Sequence, residues 1–452
     1  MTEAAGGIGW QNYRLRDVVT KLVDGSHNPP PKQDQGRPML SARNVDQGRI
    51  NFDEFRYISN KSFTSEHART RVAPGDVLLT IVGTIGRSAV VPEAIEPFAL
   101  QRSVAVLSPK DGLLSKFLAY QFQSPRIQRY FEQHARGTAQ KGVYLKTLGE
   151  TPILVPPVVE QRAVVTELEK QFSRLDEAIA NLKSVKAKIK RYKTAVLKAA
   201  VEGSMEFGYL PRTNWSPSSL LQAALAERRL RWKGRGGYRE PAAGEPFSAF
   251  PLPESWTSAA IEQLAWSVEY GSSAKTSEAI GGVPVLRMGN IVEGEIDYSE
   301  LKYLPTDHDE FPRLLLEPGD LLFNRTNSPE LVGKTAVFRG NCRCSFASYL
   351  IRVRTVSGCM PEFVAAYINS PYGRSWVKSV VTQQVGQANV NSTKLQALVI
   401  PLPPLEVQQR IVAEVDRRLS IIREVETELD ANLRRAQSLR QVILAEAFRG
   451  ES

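Results

Sequence analysis

The stretch PPVVEQR at residues 156–162 and the stretch PPLEVQQR at residues 403–410 each open a long run without glycine or proline. The first run extends from about Glu160 to Glu202, and the second from about Glu406 to Arg449. Proline is tolerated at the start of a helix but breaks its interior, so this pattern predicts a helix that begins at each pair of prolines. The sequence therefore predicts two long helices of roughly 60 to 65 Å each.

Apolar residues in both runs recur at alternating steps of three and four, which is the spacing of the a/d seam of a coiled coil. The seam positions are Val165, Leu168, Phe172, Leu175, Ile179 and Leu182 in the first run, and Val412, Val415, Leu419, Ile422, Leu429, Leu433 and Ile443 in the second. Glu426, Ala436 and Arg440 interrupt or weaken the second seam. Stripes this narrow favour two helices that bury them against each other over two separate surface helices.

The segment before each helix is also duplicated. At a constant offset of 246, Trp10, Gly25, Gly36, Pro38, Leu40, Asn44, Gly48 and Ile50 recur as Trp256, Gly271, Gly282, Pro284, Leu286, Asn290, Gly294 and Ile296. The offset is 244 at Pro318–Asp320, the match of Pro74–Asp76, and 247 at Gly333–Val337, the match of Gly86–Val90. The second copy therefore has three additional residues between Asp320 and Gly333, and the repeated unit is a globular domain followed by a helix.

The globular segments mix strand-like and helix-like patterns. Strand-like runs occur at Val77–Val82, Ser103–Leu107 and Tyr349–Val353, and helix-like segments at Ser115–Gln133 and Pro361–Val381. The fold class predicted from this mixture is α+β.

A short basic helix, Leu220–Lys233, and a stretch rich in glycine, proline and alanine, Gly234–Phe250, separate the two halves and are interpreted as a linker. The predicted organisation is a first globular domain, a central helical region, a basic helix with linker, a second globular domain and a C-terminal helical region. Their predicted bounds are 1–157, 158–208, 209–250, 251–404 and 405–452.

The chain is basic. Its 452 residues contain 58 Lys and Arg against 48 Asp and Glu, for a net charge of +10. The run Lys183–Lys198 holds seven basic residues and no acidic one, and Arg228–Arg239 holds six. Such runs favour contacts with a phosphate backbone, although solubility alone also explains a modest positive charge.

Four motif fragments each lack a residue that their chemistry needs. Asn28–Pro31 has proline where base-flipping methyltransferases have a stacking aromatic ring. Gly333–Thr335 ends like a phosphate-binding loop, but Ser328 stands where the first glycine is required. Glu300–Lys302 has no well-spaced upstream aspartate to complete a nuclease metal site, and Cys342–Cys344 has no second pair of zinc ligands. We therefore expect a binding protein with no metal site and no catalytic residues.

The three cysteines are an odd and sparse set, which fits a reducing compartment better than a disulfide framework. Residues 1–10 lack the pattern of a signal peptide, and no apolar run approaches the length of a membrane span. These features predict a cytoplasmic protein without a membrane partner.

Taken together, these features make the chain resemble the specificity subunit of a type I restriction-modification system. The resemblance rests on Pro156–Arg162 and Pro403–Arg410, on the Gly-Thr-x-Gln loop Gly137–Gln140 with its weaker match Val385–Gln387, and on Leu252–Trp256 at the start of the second copy. It implies that each globular half is a target-recognition domain that reads one part of a bipartite DNA sequence. It also implies that the helices pair as an antiparallel coiled coil, which gives the molecule a pseudo-two-fold internal repeat.

The resemblance further implies partners that carry the chemistry. These are two methylation subunits that bind S-adenosylmethionine, and restriction subunits that hydrolyse ATP with Mg²⁺ and cut the double-stranded DNA. No cofactor is expected on this chain. The alternatives are a coiled-coil scaffold that binds only proteins and, less favoured, an orphan methyltransferase.

Polar residues in the matched loops are the candidate DNA contacts, because loops at corresponding places in two similar halves would meet two half-sites. The candidates are Ser26, Arg43, Asn44, Thr84, Arg87, Gln140, Lys141 and Tyr144 in the first copy, and Arg287, Asn290, Arg325, Asn327, Lys334, Gln387 and Asn389 in the second.

Overall fold

The chain divides into two compact units, and the division falls inside each long helix. Unit 1 comprises residues 1–184 and 429–452, and unit 2 comprises residues 185–428. Each unit therefore holds one globular domain and a portion of both helices. The computed structural model describes residues 9–46, 48–137, 140–205, 216–232, 237–278, 281–327, 331–340, 342–384 and 387–449.

The elements of the first copy run from the N-terminus to the first long helix. Its strands are β1 Gln11–Arg14, β2 Val19–Asp24, β3 Arg37–Leu40, β4 Val45–Asp46, β5 Arg49–Ile50, β6 Arg56–Ile58, β7 Val77–Thr80, β8 Ser88–Val90, β9 Ala99–Leu100, β10 Val104–Pro109 and β11 Pro152–Val155. Its helices are α1 Leu15–Val18, α2 Asn60–Thr70, α3 Ser115–Gln123, α4 Pro125–His134, α5 Leu145–Leu148 and α6 Val158–Glu202.

The second copy follows a connecting helix, α7 Pro217–Leu230. Its strands are β12 Thr257–Ala260, β13 Ala265–Tyr270, β14 Val283–Leu286, β15 Ile291–Val292, β16 Glu295–Ile296, β17 Lys302–Leu304, β18 Leu321–Asn324, β19 Thr326–Asn327, β20 Thr335–Val337, β21 Ser345–Phe346, β22 Leu350–Thr355, β23 Thr382–Gln384, β24 Gln387–Asn389 and β25 Val399–Leu402. Its helices are α8 Ile261–Leu264, α9 Pro361–Asn369, α10 Pro371–Val380, α11 Ser392–Gln396 and α12 Leu405–Ala447.

The two copies share one sheet topology, which confirms the duplication. The four-stranded sheets have the orders β2-β10-β7-β8 and β13-β22-β18-β20, and the three-stranded sheets have the orders β6-β3-β9 and β17-β14-β21. The predicted three-residue insertion lies in the segment that contains β19, which pairs with β24 in an additional sheet of unit 2. That sheet has no counterpart among the described strands of unit 1.

The glutamine of the repeated signature fixes the start of each long helix. The side chain of Gln161 is fully buried, accepts a hydrogen bond from Leu114 N at 2.8 Å, and donates to the carbonyls of Gly112 and Pro156. Gln408 repeats this arrangement with Met360 N, Gly358 O and Pro403 O. Each glutamine thus binds three backbone groups at the junction of domain and helix, and one of them, the proline carbonyl, is bound in a buried hydrogen bond.

The two long helices pair in each unit, as the seams predicted. In unit 1, Leu168 and Phe172 of α6 share an apolar cluster with Leu444 of α12. In unit 2, Val196 of α6 shares a cluster with Val415 of α12. The start of α6 meets the end of α12, and the end of α6 meets the start of α12, so the pair is antiparallel.

The seam assignments are correct only in part. Several seam positions are half-buried, namely Ile179, Leu182, Val412, Leu419, Leu433 and Ile443. Ile411, Leu444 and Phe448, outside the predicted seam, are buried. The buried stripe is displaced because a globular domain packs on the helices as well: Phe448 lies 5.2 Å from the ring of Phe117 in domain 1.

Each predicted helix of the globular segments is divided in two. Ser124 and Ser370 interrupt them, because the residue before a proline disfavours helical geometry. The hydroxyl of Ser124 donates to Gln121 O at 2.7 Å, and that of Ser370 donates to Tyr367 O at 2.7 Å, so each serine ends one helix and caps the next. The repeated Ser-Pro pair therefore has a structural role.

The predicted linker and basic helix are more closely packed than expected. Phe247 and Phe250 contact the rings of Tyr367 and Tyr372 in domain 2. Arg228 is 8% exposed and donates to Ala265 O and to the hydroxyl of Tyr238. This arginine holds α7 on the domain, so the expectation that it contacts DNA phosphates is wrong.

The cysteines differ from expectation too. Cys342 and Cys344 form a disulfide across a bend that brings their Cα atoms to 5.5 Å. Cys359 is free, and burial raises the pKa of its thiol to about 12. Within the described part of the chain, no helix is long and apolar enough to span a membrane.

Candidate nucleic-acid interface

Domain 1 carries a cleft of 450 Å³ where several loops converge. Five segments meet there: the loops after β2, β3 and β7, the turn between β9 and β10, and the loop that contains Gln140. The lining residues include Ser26, His27, Pro29, Ser41, Arg43, Val82, Thr84, Gln101, Arg102, Ser103 and Gln140. Segments far apart in sequence therefore present polar side chains at one place.

Backbone hydrogen bonds hold the floor of this cleft. Ser26 N donates to Leu100 O at 2.8 Å, and Arg102 N donates to Ser26 O at 2.9 Å. A Cβ atom at Gly25 would lie 2.3 Å from Leu100 O, so only glycine permits this close approach. Gly271 repeats the contact with Phe346 O at 2.2 Å, which explains why this glycine recurs.

The cleft is lined and flanked by basic side chains. Arg102 and Lys141 are exposed, and neither side chain has a partner within the described ranges. Arg43 lies 3.7 Å from Glu54, but both side chains are 81% exposed, so this pair is weak. An adjoining groove of 790 Å³ shares Arg43 and adds Lys32. Basic side chains that are not held in strong ion pairs, beside polar loop residues, are suited to bind phosphate oxygens and the edges of nucleobases.

Four candidates of the first copy line this cleft: Ser26, Arg43, Thr84 and Gln140. Lys141 and Tyr144 follow Gln140, and Tyr144 is 57% exposed. Arg87 is elsewhere. It lies 3.5 Å from Asp46 in a second cleft, of 400 Å³, beside the helix residues Asp176 and Arg440.

Asn44 and Asn290 recur for a structural reason, and we remove them from the candidate set. Both are nearly completely buried. Asn44 Oδ1 accepts from Ser41 N at 2.9 Å, and its amide donates to Asn51 O and Glu54 O. Asn290 makes the same bonds with Arg287 N, Asp297 O and Glu300 O. These side chains shape a loop and have no free group for DNA.

Domain 2 has a different constellation at the corresponding place. The guanidinium of Arg325 lies over the ring of Tyr270 at 4.8 Å, and it donates to Asn389 Oδ1 and Ser348 O at 3.4 Å each. Its Nε has no partner in the described structure. By the sequence offsets, the matching residues of domain 1 are Ile81, Asp24 and Gly142. The two domains thus share a scaffold and present different chemistry.

The remaining candidates of the second copy are dispersed. Arg287 is half-buried and donates to Glu300 O at 3.4 Å, and Lys334 is half-buried near Glu293. The backbones of Asn327 and Gln387 lie in the paired strands β19 and β24, which places both on the additional sheet. Val385, part of the weaker loop match, lies outside the described residues.

The sequence analysis missed Arg102, Lys32 and Tyr270. Arg102 occupies the short turn between β9 and β10. A basic residue in a tight turn between two apolar strands is a signal that could have identified it. Nothing comparable marks Lys32, which lines the adjoining groove, or Tyr270, which lies against Arg325 in domain 2. Within the described residues, no group of three metal-ligating side chains occurs.

Comparison with known proteins identifies the family of the chain. The family model for the type I restriction modification DNA specificity domain matches residues 7–191 and 253–433. The EcoKI type I restriction enzyme specificity subunit of Escherichia coli K12 is 24% identical, covering 93% of this chain and 83% of that protein. The StySPI specificity subunit of Salmonella potsdam is 22% identical, covering 98% and 89%.

The fold is also similar to a solved structure. A chain from a study of complex assembly and conformational transition of the type I R-M system aligns with a TM-score of 0.65 at 20% identity, covering 98% of both chains. At this identity the likeness concerns the fold alone.

Proposed function

Because this chain belongs to the type I restriction modification DNA specificity family and is the specificity subunit of such a system, we propose that the cleft of domain 1 and the cluster around Arg325 in domain 2 are the surfaces that read DNA. The cleft of domain 1, with Arg43, Arg102 and Gln140, reads one half-site. The cluster around Arg325 in domain 2 reads the other. The single observation that carries this proposal is that corresponding loops converge in both domains but present different polar groups.

The different chemistry of the domain 1 cleft and the Arg325 cluster accounts for an asymmetric target. Arginine is the most frequent reader of guanine, through two hydrogen bonds to O6 and N7. Arg325 is already oriented by the ring of Tyr270 and by Asn389, which lowers the entropy lost on binding. We propose that Arg325 binds a guanine in the second half-site. Ile81, at the matching position, is buried and has no comparable role.

The helices are proposed to hold two methylation subunits. Several apolar side chains remain exposed on them: Val185, Tyr192, Ile421, Val425, Leu439 and Val442, each 40% to 51% exposed. Contiguous patches of exposed apolar residues mark protein interfaces, and Ile421 and Val425 lie one turn apart on α12. S-adenosylmethionine, ATP and Mg²⁺ belong, in this proposal, to the methylation and restriction subunits, and this chain performs no catalytic step.

The proposal is tested by mapping methylated bases. Co-expression of the chain with its methylation subunit, followed by sequencing of the methylated DNA, is expected to show a split motif. Exchange of residues 1–157 for the first domain of another family member should change one half of the motif and leave the other. A continuous motif, or a change in both halves, would argue for another function.

Replacing Arg102 with alanine is expected to remove one phosphate contact. The slope of log affinity against log salt concentration should become shallower by about 0.9, and affinity should fall about equally for all sequences. Titration of the complex with double-stranded DNA over a salt series measures both quantities. Arg129→Ala, an exposed arginine of α4 outside the cleft, is the control and should leave the slope unchanged.

The alternative, a coiled-coil scaffold that binds only proteins, makes a different prediction in this experiment. A scaffold without phosphate contacts would show no salt-dependent affinity for DNA. Equal slopes for the unaltered chain, Arg102→Ala and Arg129→Ala would count against the placement of the interface at the cleft.

A further inference from the structure

In each recognition domain, one of the contacts with the long helices is made by a short hairpin. In unit 1 the hairpin is β4-β5, and Arg49 lies 3.9 Å from Asp176 of α6. In unit 2 it is β15-β16, and Glu295 lies 2.7 Å from Arg423 of α12. Glu295 follows Arg49 at the offset of 246, and Arg423 follows Asp176 at 247. The same contact therefore occurs twice, with its charges inverted.

The neighbouring charges extend this difference. In unit 1, Arg440 of α12 lies 3.4 Å from Asp176. Its counterpart by the offset of 247 is Lys193, which in unit 2 is ion-paired with Glu293 of the hairpin turn. In unit 1 the helices thus present one acidic and one basic side chain, Asp176 and Arg440, near the hairpin. In unit 2 they present two basic side chains, Lys193 and Arg423, to the two glutamates of the hairpin.

The backbone at Glu293 supports a role for this ion pair. Glu293 has a φ of 51°, which glycine, asparagine and aspartate adopt more readily than glutamate. Its partner Lys193 has a side chain that is only 17% exposed, and the hydrogen bond to it lowers the pKa of Glu293. A glutamate is therefore tolerated at a position whose conformation disfavours it, opposite a half-buried lysine.

We propose that this charge-inverted contact fixes the angle of each recognition domain on its own portion of the helix pair. A domain seated on the other portion would bring Glu295 to Asp176, or Arg49 to Arg423, and like charges in contact repel. Because exposed ion pairs contribute little to stability, the contact acts mainly by disfavouring a domain placed on the wrong portion of the helix pair. The inference rests on the proposed function, because the angle of each domain decides where its cleft meets the DNA.

The test replaces Glu295 with arginine, the residue of the first copy, in the complex of the full chain with its methylation subunit. Preference for the native spacing between half-sites, over spacings one base pair shorter or longer, is expected to fall by about three- to tenfold. Arg423→Asp should have the same effect. The double variant E295R/R423D, made together with Arg339→Ala because Arg339 also lies 3.9 Å from Glu295, rebuilds the ion pair of unit 1 within unit 2 and should restore the preference.

The readout is the fraction of methylated sites at each spacing in a plasmid library that carries both half-sites with randomised spacers. Glu424→Arg, an exposed change of equal charge beside Arg423, is the control and should not alter the preference. A purely structural role would lower the melting temperature without changing the spacing preference. Arg49→Glu with Asp176→Arg repeats the design in unit 1, should a variant of unit 2 fail to fold.

The outcomes separate the two proposals. Single variants that keep the native spacing preference, or a double variant that stays impaired, would overturn the role of the hairpin while leaving the split target intact. Absence of a split target in the unaltered complex would instead overturn the proposed function.

Discussion

Replacing Gln408 with leucine is expected to lower the free energy of unfolding of unit 2 by about 2 to 5 kcal/mol. Leucine removes a donor pair and an acceptor from a fully buried position. The carbonyl of Pro403 is then left buried without a partner, at about 1 to 3 kcal/mol, and the partly buried Met360 N–H and Gly358 O lose their hydrogen bonds, at about 0.5 to 1 kcal/mol each. The start of α12 should loosen from domain 2 as a result.

Urea unfolding followed by tryptophan fluorescence measures this effect, because the described tryptophans other than Trp10 lie in unit 2. The control is Gln409→Leu, the same change at the exposed neighbouring position, which should shift stability by no more than about 0.5 kcal/mol. Equal shifts for the two variants would show that the buried hydrogen bonds do not stabilise the junction.

Replacing Arg325 with methionine is expected to weaken binding to the full target by about 1 to 3 kcal/mol, or roughly 5- to 150-fold. Methionine keeps much of the length of the side chain and removes the planar donors that pair with guanine. The loss should be confined to one position of the second half-site, where any base would then be accepted. Arg325→Lys keeps the charge but not the bidentate hydrogen-bonding geometry, and should reduce base specificity at the same position of the target.

Titration with a set of double-stranded targets, each altered at one position, distinguishes this role from phosphate binding. A phosphate contact would produce a uniform loss across all targets. Arg343→Met, an exposed arginine outside the cleft, serves as the control and should leave the affinity and the preference unchanged. Full discrimination retained by Arg325→Met would exclude Arg325 as a base reader.

The sequence predicted the long helices and the duplicated topology because those features depend on local patterns. Proline and glycine placement limits helices within a few residues, and the starts at Val158 and Leu405 follow directly from the proline pairs. The seams were less accurate. Ile411 and Phe448 are buried by the pairing of helices with globular domains, which heptad spacing does not encode.

The candidate site was predicted less completely because matched positions have two different causes. Gly25 and Asn44 recur since the fold needs them, one for a close backbone approach and the other for a loop's hydrogen bonds. The structure distinguishes such residues from Arg43 and Gln140, which line an open cleft. From the sequence alone, a repeated residue that the fold requires cannot be distinguished from a repeated residue that lines the cleft.

The sequence by itself therefore determined the repeated unit of domain and helix, the class of the fold and the family resemblance. Only the tertiary structure decided which polar residues meet. Arg102 lies beside Ser26, and Arg325 beside Tyr270, because strands distant in sequence end at one edge of each domain. The same holds for Arg49 and Asp176, or Glu295 and Arg423: the inverted charges are visible in the sequence, but their contact depends on how each hairpin packs against a helix.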